Sequence, residues 1–293
     1  MSEPWSTILT LVAGVATGVL SGMFGVGGAV VSTPAIRALG ATPLEAVGST
    51  LPSIVPSAVS GSLRYRREGL IVGRVARWTL AAGLAATVGG ALVAGTVPGG
   101  GHLLMLITAA LLAFTAYRLG AAPRSAPARE PAPAAIDFED PVGDLATPPV
   151  DIARAHDPEP DRSSPAARRD EVWRLGLIGL AAGGVSGLLG IGGGVLLVPA
   201  FASWVRLTVK ESVATSLLCV GALAIPGMIT HAVLGNIDWA FAIPLAIAVI
   251  PGAQLGAHLA IRSSERGLRL TVAIGLGSIA IVYGVGEIVA LVV

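Results

Sequence analysis

The charge-free stretches of this sequence set the strongest limit on its fold. They lie at 4–36, 46–63, 78–117, 175–205, 212–237, 239–261 and 270–286. A helix that crosses a bilayer needs about 20 apolar residues, so these stretches predict an all-α integral membrane protein. The stretch 78–117 is too long for one crossing, and the Gly- and Pro-rich residues 95–101 divide it into two helices. The sequence therefore predicts eight apolar segments, four on each side of a polar stretch at 121–171.

That polar stretch holds a large share of the charge. Charged residues make up 13% of the chain, against about 25% in an average soluble domain. Residues 121–171 contain 17 of the 37 charged residues, so the rest of the chain cannot cover a water-soluble surface. The stretch is rich in Pro, Ala, Asp and Arg and has little to bury. We predict a disordered cytoplasmic linker between a first transmembrane repeat at 5–120 and a second at 172–293.

The composition also excludes several classes of function. A net charge of +1 without a basic patch argues against nucleic-acid binding. One cysteine, Cys219, and four scattered histidines offer no metal site, and we expect no cofactor. No nucleophile–base pair is visible, so we do not expect an enzyme. The N-terminus lacks the positive region of a secretory signal peptide, so we expect the first apolar stretch to be retained.

The two apolar halves are copies of each other. Residues 21–28 match residues 186–193 at an offset of 165, and a proline follows each block, at Pro34 and Pro199. After one inserted residue the offset becomes 166 and stays constant to the end of the repeat. Pairs at this second offset are Thr42 and Thr208, Glu45 and Glu211, Gly61 and Gly227, Gly90 and Gly256, and Tyr117 and Tyr283. This indicates a gene duplication, which is typical of secondary transporters.

The first segment of each half is longer than one crossing requires. Segments 4–36 and 175–205 carry their Gly-rich blocks near the middle. Each either crosses once with a long tail or breaks at the glycines and returns as a re-entrant hairpin. Eight simple crossings place 13 Lys and Arg residues inside and 6 outside, whereas two re-entrant segments place 18 inside and only Arg37 outside. We therefore predict two four-segment repeats in inverted orientation, each starting with a Gly-rich broken or re-entrant helix.

The repeated Gly-rich blocks are the candidate binding site. They resemble dinucleotide-binding fingerprints, but such a motif needs a preceding strand, which the sequence does not predict. One interpretation is close helix packing through small residues. The other is a helix break whose freed N–H groups bind an anion, because irregular backbone at membrane depth must be buried or line a cavity. Recurrence in both halves favours the second.

Two pairs of hydroxyl residues follow these blocks, one turn into the next helix, behind the candidate capping residues Thr42 and Thr208. They are Ser49-Thr50 and Thr215-Ser216. Such hydroxyls either bond back to their own helix or line the same site, where they can hold oxyanion oxygens. The predicted substrate-binding residues are Ser21, Gly25, Gly27, Gly28, Ser49, Thr50, Ser186, Gly190, Gly192, Gly193, Thr215 and Ser216.

Three more polar residues lie in apolar segments and are candidates for coupling or gating. They are His231, Gln254 and His258. His231 precedes polar residues closely enough to lie near a membrane interface. Gln254 and His258 are one turn apart, and their counterparts in the first half, Val88 and Leu92, are apolar. This asymmetry fits either a role confined to one half or an ordinary interhelical hydrogen bond.

The repeated signature Gly-x-x-Ser-Gly-x-x-Gly-x-Gly-Gly…Pro, at 18–34 and 183–199, resembles the TauE/SafE sulfite exporter family of membrane permeases. The stretches 45–50, 211–216 and 235–239 resemble that family's pattern too. Residues 66–70 depart from it, because they lack the Gly-x-Ile/Val-Asp turn found at 235–238, and the linker is unusually long. The resemblance implies transport of sulfite or an organosulfonate, often outward, across a bacterial inner membrane.

We therefore expect a secondary transporter of a small sulfur-containing anion. No Walker-type phosphate-binding motif occurs, so the driving energy would come from an ion gradient or from the gradient of the substrate. The expected partners are this anion and the lipid bilayer, without nucleic acid, and a homo-oligomer is left open. The alternative is a membrane scaffold that recruits soluble proteins through the linker.

Overall fold

The computed structural model describes residues 4–94, 96–97, 102–121 and 165–292, and the regular secondary structure within these ranges is α-helical. The ten helices found there are α1 (Pro4–Phe24), α2 (Ala29–Ala38), α3 (Pro43–Arg67), α4 (Gly73–Ala94), α5 (His102–Ala121), α6 (Pro165–Leu189), α7 (Gly194–Ser203), α8 (Val209–Val233), α9 (Trp239–Arg262) and α10 (Glu265–Val292).

Seven of the described helices are long and apolar enough to cross a membrane, namely α1, α4, α5, α6, α8, α9 and α10. α3 has the same length as α8, but its serines, its two internal prolines and the arginines of its last turn lower its hydropathy. α2 and α7 each have 10 residues, too few for a crossing. The prediction of an all-α, multi-pass membrane protein is confirmed.

Both Gly-rich blocks interrupt the helical path. Segment 4–36 forms α1 and α2, and segment 175–205 forms α6 and α7, so eight apolar segments give ten helices. Gly27 has a φ of +81°, and Gly192 has a φ of +77°. Glycine adopts this left-handed region without the penalty that a side chain brings, so the local sequence itself ends each first helix.

The third helix of each half, α3 or α8, begins with the same capping box. Thr42 Oγ1 accepts from Glu45 N at 3.3 Å, and Glu45 Oε2 accepts from Thr42 N at 3.0 Å. In the second half, Thr208 and Glu211 make the equivalent bonds at 3.2 and 2.9 Å. This arrangement satisfies two backbone donors at the helix start. The candidate capping residues are thereby confirmed.

The two halves pack against each other through two pairs of parallel helices. α1 packs along α9 and α4 packs along α6, so the first helix of each half lies against the fourth helix of the other. A Cβ added at Gly18 would lie 3.0 Å from Gly252 Cα, and one added at Gly183 would lie 2.8 Å from Gly83 Cα. Small residues at such positions let helix backbones approach closely. The interface between the halves therefore depends on glycines that precede the Gly-rich blocks.

The bundle has two distinct ends. We call one the linker end, because α5 ends and α6 begins there. At this end Arg74 pairs with Glu171 at 2.8 Å, and Val209 N donates to Glu265 Oε2 at 2.9 Å. At the opposite end, Asp238 N donates to Ser49 Oγ. The turns from α3 to α4 and from α9 to α10 both lie at the linker end, so the arginines that flank these turns gather there.

Most of the predicted linker lies outside the described residues, and so does Gly99, which we predict to face the side of the membrane opposite the linker. Within the description, α6 begins at Pro165, so residues 165–171, which we assigned to the linker, belong to a helix. Alanine, arginine and glutamate in this stretch are favourable helix formers. We placed the end of the linker at residue 171 because a run of charged residues ends there. That position marks the start of the apolar part of α6, whereas the helix itself begins at Pro165.

Candidate functional site

The two Gly-rich breaks contact each other inside the bundle. A Cβ added at Gly194 would lie 2.5 Å from Val26 Cα and 2.7 Å from the Gly25 carbonyl oxygen. A Cβ added at either Gly27 or Gly192 would lie 2.6 Å from the same methyl group, Val220 Cγ1. We call residues 25–28 and 190–194 the central junction. At Gly27 and Gly192 both the positive φ and the lack of space exclude a side chain.

α3 and α8 pack against the central junction. Ile54 of α3 and Val220 of α8 are repeat counterparts, 166 residues apart, and both are fully buried. Ile54 Cγ2 would lie 3.6 Å from a Cβ at Gly27 and 3.7 Å from one at Gly192. The same pair of apolar side chains therefore contacts both breaks.

Two helix N-termini meet at the central junction. α2 begins at Ala29 and α7 at Gly194, directly after the two breaks. The first four N–H groups of a helix have no acceptor within it. Within the described chain, no backbone carbonyl accepts from the amides of residues 26–30 or 191–195. Each N-terminus carries roughly half a positive charge, and the C-termini of α1 and α6 just before the breaks carry the opposite, so any positive potential that an anion meets comes from the unpaired amides themselves.

Basic side chains do not contribute to this potential. In the part of the chain that the structure describes, the buried polar side chains are serines, threonines and His231, with no Asp, Glu, Lys or Arg among them. The central junction therefore offers an anion backbone N–H groups and hydroxyls only.

Thr50 and Ser216 are fully buried beside the breaks. Ser216 Oγ donates to the Gly25 carbonyl oxygen at 2.7 Å, which ties α8 to the first break. Its repeat counterpart, Thr50, donates to Val47 O in its own helix at 2.9 Å and lies 3.4 Å from Thr33 Oγ1 of α2. Ser216 thus links α8 to the first break, whereas Thr50 donates within its own helix.

Ser49 and Thr215 contact loops of the opposite half. Ser49 Oγ accepts from Asp238 N at 2.7 Å, and Thr215 Oγ1 accepts from Val72 N at 3.0 Å. Asp238 and Val72 are themselves repeat counterparts. These two hydroxyls therefore tie each half to the turn of the other, and they do not reach the central junction.

Ser21 and Ser186 precede the two breaks and differ in their partners. Ser57 Oγ of α3 donates to Ser21 Oγ at 2.9 Å. Ser186 Oγ is buried and has no hydrogen-bond partner among the described residues. The repeat counterpart of Ser57 is Leu223, which cannot supply one. The Ser186 hydroxyl is therefore available to a ligand at the second break.

Ser57 was not among the residues predicted from the sequence to form the site. It belongs to a row of serines on α3, at positions 49, 53 and 57, spaced by one helical turn. Ser53 and Ser57 are fully buried, and Ser53 Oγ donates to Thr50 O at 2.7 Å. This spacing was visible in the sequence, but the Ser57 contact with Ser21 depends on tertiary packing.

The three candidates for coupling or gating lie away from the central junction. His231 is buried near the end of α8, with Nδ1 3.3 Å from Asn236 Nδ2. Gln254 is exposed on α9, and the half-buried His258 contacts Arg64 at the linker end. Among the described residues, no group of three or more His, Cys, Asp or Glu side chains could hold a metal ion.

A small cavity borders the first break. Its lining includes Ser21, Phe24, Gly27 and Gly28, together with Leu276 and Ile279 of α10. Its volume of about 10 Å³ corresponds to roughly one water molecule. The central junction is therefore closely packed in this conformation.

Comparisons with known proteins place these features in a family. The family model described as sulfite exporter TauE/SafE matches residues 10–283. The chain is 35% identical over 82 residues to the probable membrane transporter protein YunE of Bacillus subtilis, which is 28% of this chain and 29% of that protein. It is 34% identical over 104 residues to a probable membrane transporter protein of Xylella fastidiosa strain 9a5c, which is 36% of this chain and 40% of that protein.

A third relative comes from an archaeon. The chain is 29% identical over 119 residues to the probable membrane transporter protein MJ0441 of Methanocaldococcus jannaschii, covering 38% of this chain and 44% of that protein. The matches with these three relatives thus span less than half of each relative's length. No solved structure matches the chain significantly.

Proposed function

Since the chain belongs to the sulfite exporter TauE/SafE family of membrane transporters, we propose that it is a secondary transporter that exports a small sulfur oxyanion or sulfonate across the bacterial inner membrane. One observation carries the proposal: two helix N-termini meet at a buried junction with no basic side chain. Such an arrangement attracts an anion through oriented N–H groups.

The energetics of this site suit transport. A helix dipole contributes about 0.3–1 kcal/mol to anion binding, and up to about 2 kcal/mol when it is partly buried. Two helix ends with several hydrogen bonds can hold an anion at roughly millimolar to micromolar affinity. A buried lysine or arginine would add a costly charge to the membrane interior and would hold the anion too tightly for release.

We propose that the two halves move relative to each other during transport. The cavity beside the first break has a volume of only about 10 Å³, so a larger anion can enter there only when the surrounding helices separate. In transporters built from duplicated halves, such movement exposes a fixed site to one side of the membrane at a time. The contacts of α1 with α9 and of α4 with α6 are formed by glycines, so few side chains obstruct a movement of one half along the other.

We also propose that the two halves insert in opposite orientations, with the linker end in the cytoplasm. The clustering of Arg64, Arg74, Lys210 and Arg262 at that end supports this topology through the positive-inside rule. The return of α2 alongside α1 supports re-entrant Gly-rich segments, because a Cβ at Gly28 would lie 3.7 Å from Ser21 Cβ.

Single cysteines test this topology in a Cys219→Ser background. We expect Asn236→Cys to react with a membrane-impermeant thiol reagent added outside intact cells. Glu265→Cys should react only after the membrane is permeabilised, because the turn from α9 to α10 lies at the linker end. Labelling of position 265 from outside, with position 236 protected, would instead support eight simple crossings.

The hydroxyls of α8 provide a test at the site. Thr215→Ala combined with Ser216→Ala removes the acceptor of Val72 N and the donor to the Gly25 carbonyl. Leaving Val72 N and the Gly25 carbonyl without these partners costs about 1–3 kcal/mol each. We expect the first break to lose its fixed position, so that flux falls by about ten-fold or more while topology is unchanged. Ser278→Ala is the matched control, because Ser278 is exposed on α10 and bonds only within its own helix. Equal flux in the double variant and the control would show that these hydroxyls of α8 do not contribute to the site.

A scaffold function makes a different prediction. A protein that recruits soluble partners through residues 121–171 should lose its function when residues 123–168 are deleted. We expect the deleted protein to keep most of its transport activity, measured as flux in reconstituted vesicles. Loss of function in cells with intact flux in vesicles would favour the scaffold.

A further inference from the structure

An unusual pair of side chains joins α3 and α9 at the linker end. Arg64 Nη2 lies 2.6 Å from His258 Nδ1. Arginine can only donate, so His258 accepts on Nδ1 and carries its proton on Nε2. The imidazole therefore presents an N–H group beside the guanidinium. The polar groups that the pair presents to its surroundings are therefore hydrogen-bond donors.

The positive charge of this pair is not balanced by an ion pair. Arg262 lies one turn after His258 on α9, is exposed and makes no hydrogen bond within the described chain. Arg64 Nε is buried and has no partner among the described residues. Glu68 lies close enough to act on His258 electrostatically. Among the described residues, however, no carboxylate lies within ion-pair distance of Arg64 or Arg262. Two guanidinium groups thus act on His258 against one carboxylate, that of Glu68, so the cluster keeps a net positive charge.

The surface next to this cluster is apolar and exposed. Leu63 of α3 is 53% exposed, and Leu255 and Leu259 of α9 are 55% and 48% exposed. Gln254 lies among them, one turn from His258 toward the middle of α9. It is exposed and makes no hydrogen bond within the described chain. A primary amide at this depth needs a polar partner, because hydrocarbon offers none.

We propose that Arg64, His258 and Arg262 bind the phosphate of an anionic phospholipid, whose glycerol ester carbonyl accepts a hydrogen bond from Gln254. The guanidinium groups suit phosphate oxygens, and the exposed leucines suit acyl chains. Along α9, Arg262, His258 and Gln254 follow one another at intervals of one turn from the helix end inward. The side chains proposed to bind phosphate thus lie nearer the helix end than the amide, which matches the order of phosphate and ester in a lipid. A soluble anion would use the cationic residues but would leave Gln254 and the leucines without a role.

Native mass spectrometry of the purified full chain tests this site with phosphatidylglycerol and phosphatidylcholine of the same acyl composition. Two arginines near a phosphate should favour phosphatidylglycerol, whose headgroup lacks the cationic choline, by about ten- to thirty-fold. Arg64→Gln with Arg262→Gln should reduce this preference to about two-fold or less. Arg66→Gln with Arg266→Gln is the control, because it removes two exposed charges from the same end of the bundle. The control should keep the preference.

Two further arms separate the alternatives. Arg262→Gln alone should lose about half of the logarithmic preference, and its exposed side chain has no internal contact whose loss could unfold the protein. Inorganic phosphate or sulfite in excess should not displace phosphatidylglycerol. Displacement by either would assign the cluster to a soluble anion and overturn the proposal. It would also be overturned by an undiminished preference in the Arg64/Arg262 variant, or by equal losses in that variant and the control.

Discussion

Replacement of Gly192 by valine is expected to abolish transport while the protein still inserts into the membrane. Gly192 has a φ of +77°, which disfavours a side chain, and an added Cβ would lie 2.6 Å from Val220 Cγ1. A valine there must widen the break and cover the amides that begin α7. The measurement is substrate flux in vesicles at equal amounts of purified, monodisperse protein.

Two companion variants separate loss of the site from loss of the fold. Gly89→Val adds the same side chain to an exposed glycine of α4 with no other group within 4 Å, and should keep normal flux. Val220→Ala added to Gly192→Val removes the Val220 methyl group that the new side chain would contact, so flux should stay absent even when this clash is relieved. Parental flux in a folded Gly192→Val protein would show that the anion does not use the second break.

The second large effect is expected at the interface between the halves. A Cβ at Gly187 of α6 would meet the Thr87 carbonyl oxygen of α4 and lie 2.7 Å from Ala91 N. Gly187→Leu must therefore separate two helix backbones, and overpacking of this kind costs about 1–3 kcal/mol or more. For a protein of this size that corresponds to a fall in Tm of roughly 2–9 °C. Thermal unfolding in detergent, followed by loss of the monodisperse peak, measures it.

Gly184→Leu is the matched control for this prediction. Gly184 lies on the same helix, three residues earlier, and no other group lies within 4 Å of an added Cβ. We expect its Tm to stay close to that of the parent protein. Equal losses at positions 184 and 187 would indicate that leucine disturbs α6 itself, and would contradict the close approach of α4 and α6.

Local sequence patterns predicted the features of the fold that depend on nearby residues. The helix breaks follow from glycines that adopt positive φ, and the starts of α3 and α8 follow from threonine followed by glutamate three residues later. Both patterns occur twice, and the duplication strengthened each prediction. The start of α6 was harder to predict, because the charged residues that precede its apolar part are typical both of a helix and of a linker.

Contacts between the halves could not be predicted in the same way. Ser49 and Thr215 looked equivalent to Thr50 and Ser216 in the sequence, but their partners are turns of the opposite half. Arg64 and His258 are 194 residues apart, and no local pattern links them. Gly18 and Gly183 belong to the repeated signature, but only the structure shows that they pack against α9 and α4. These assignments depend on tertiary packing between duplicated helices.

We propose that this chain moves a small sulfur-containing anion through the central junction. The most direct test is flux through the purified protein in vesicles, with sulfite, thiosulfate, sulfoacetate and sulfate offered in parallel and protein-free vesicles as the baseline. We predict that sulfite or a sulfonate crosses well above this baseline and that Gly192→Val removes the difference. Baseline flux of all four anions through well-folded parent protein would contradict the claim.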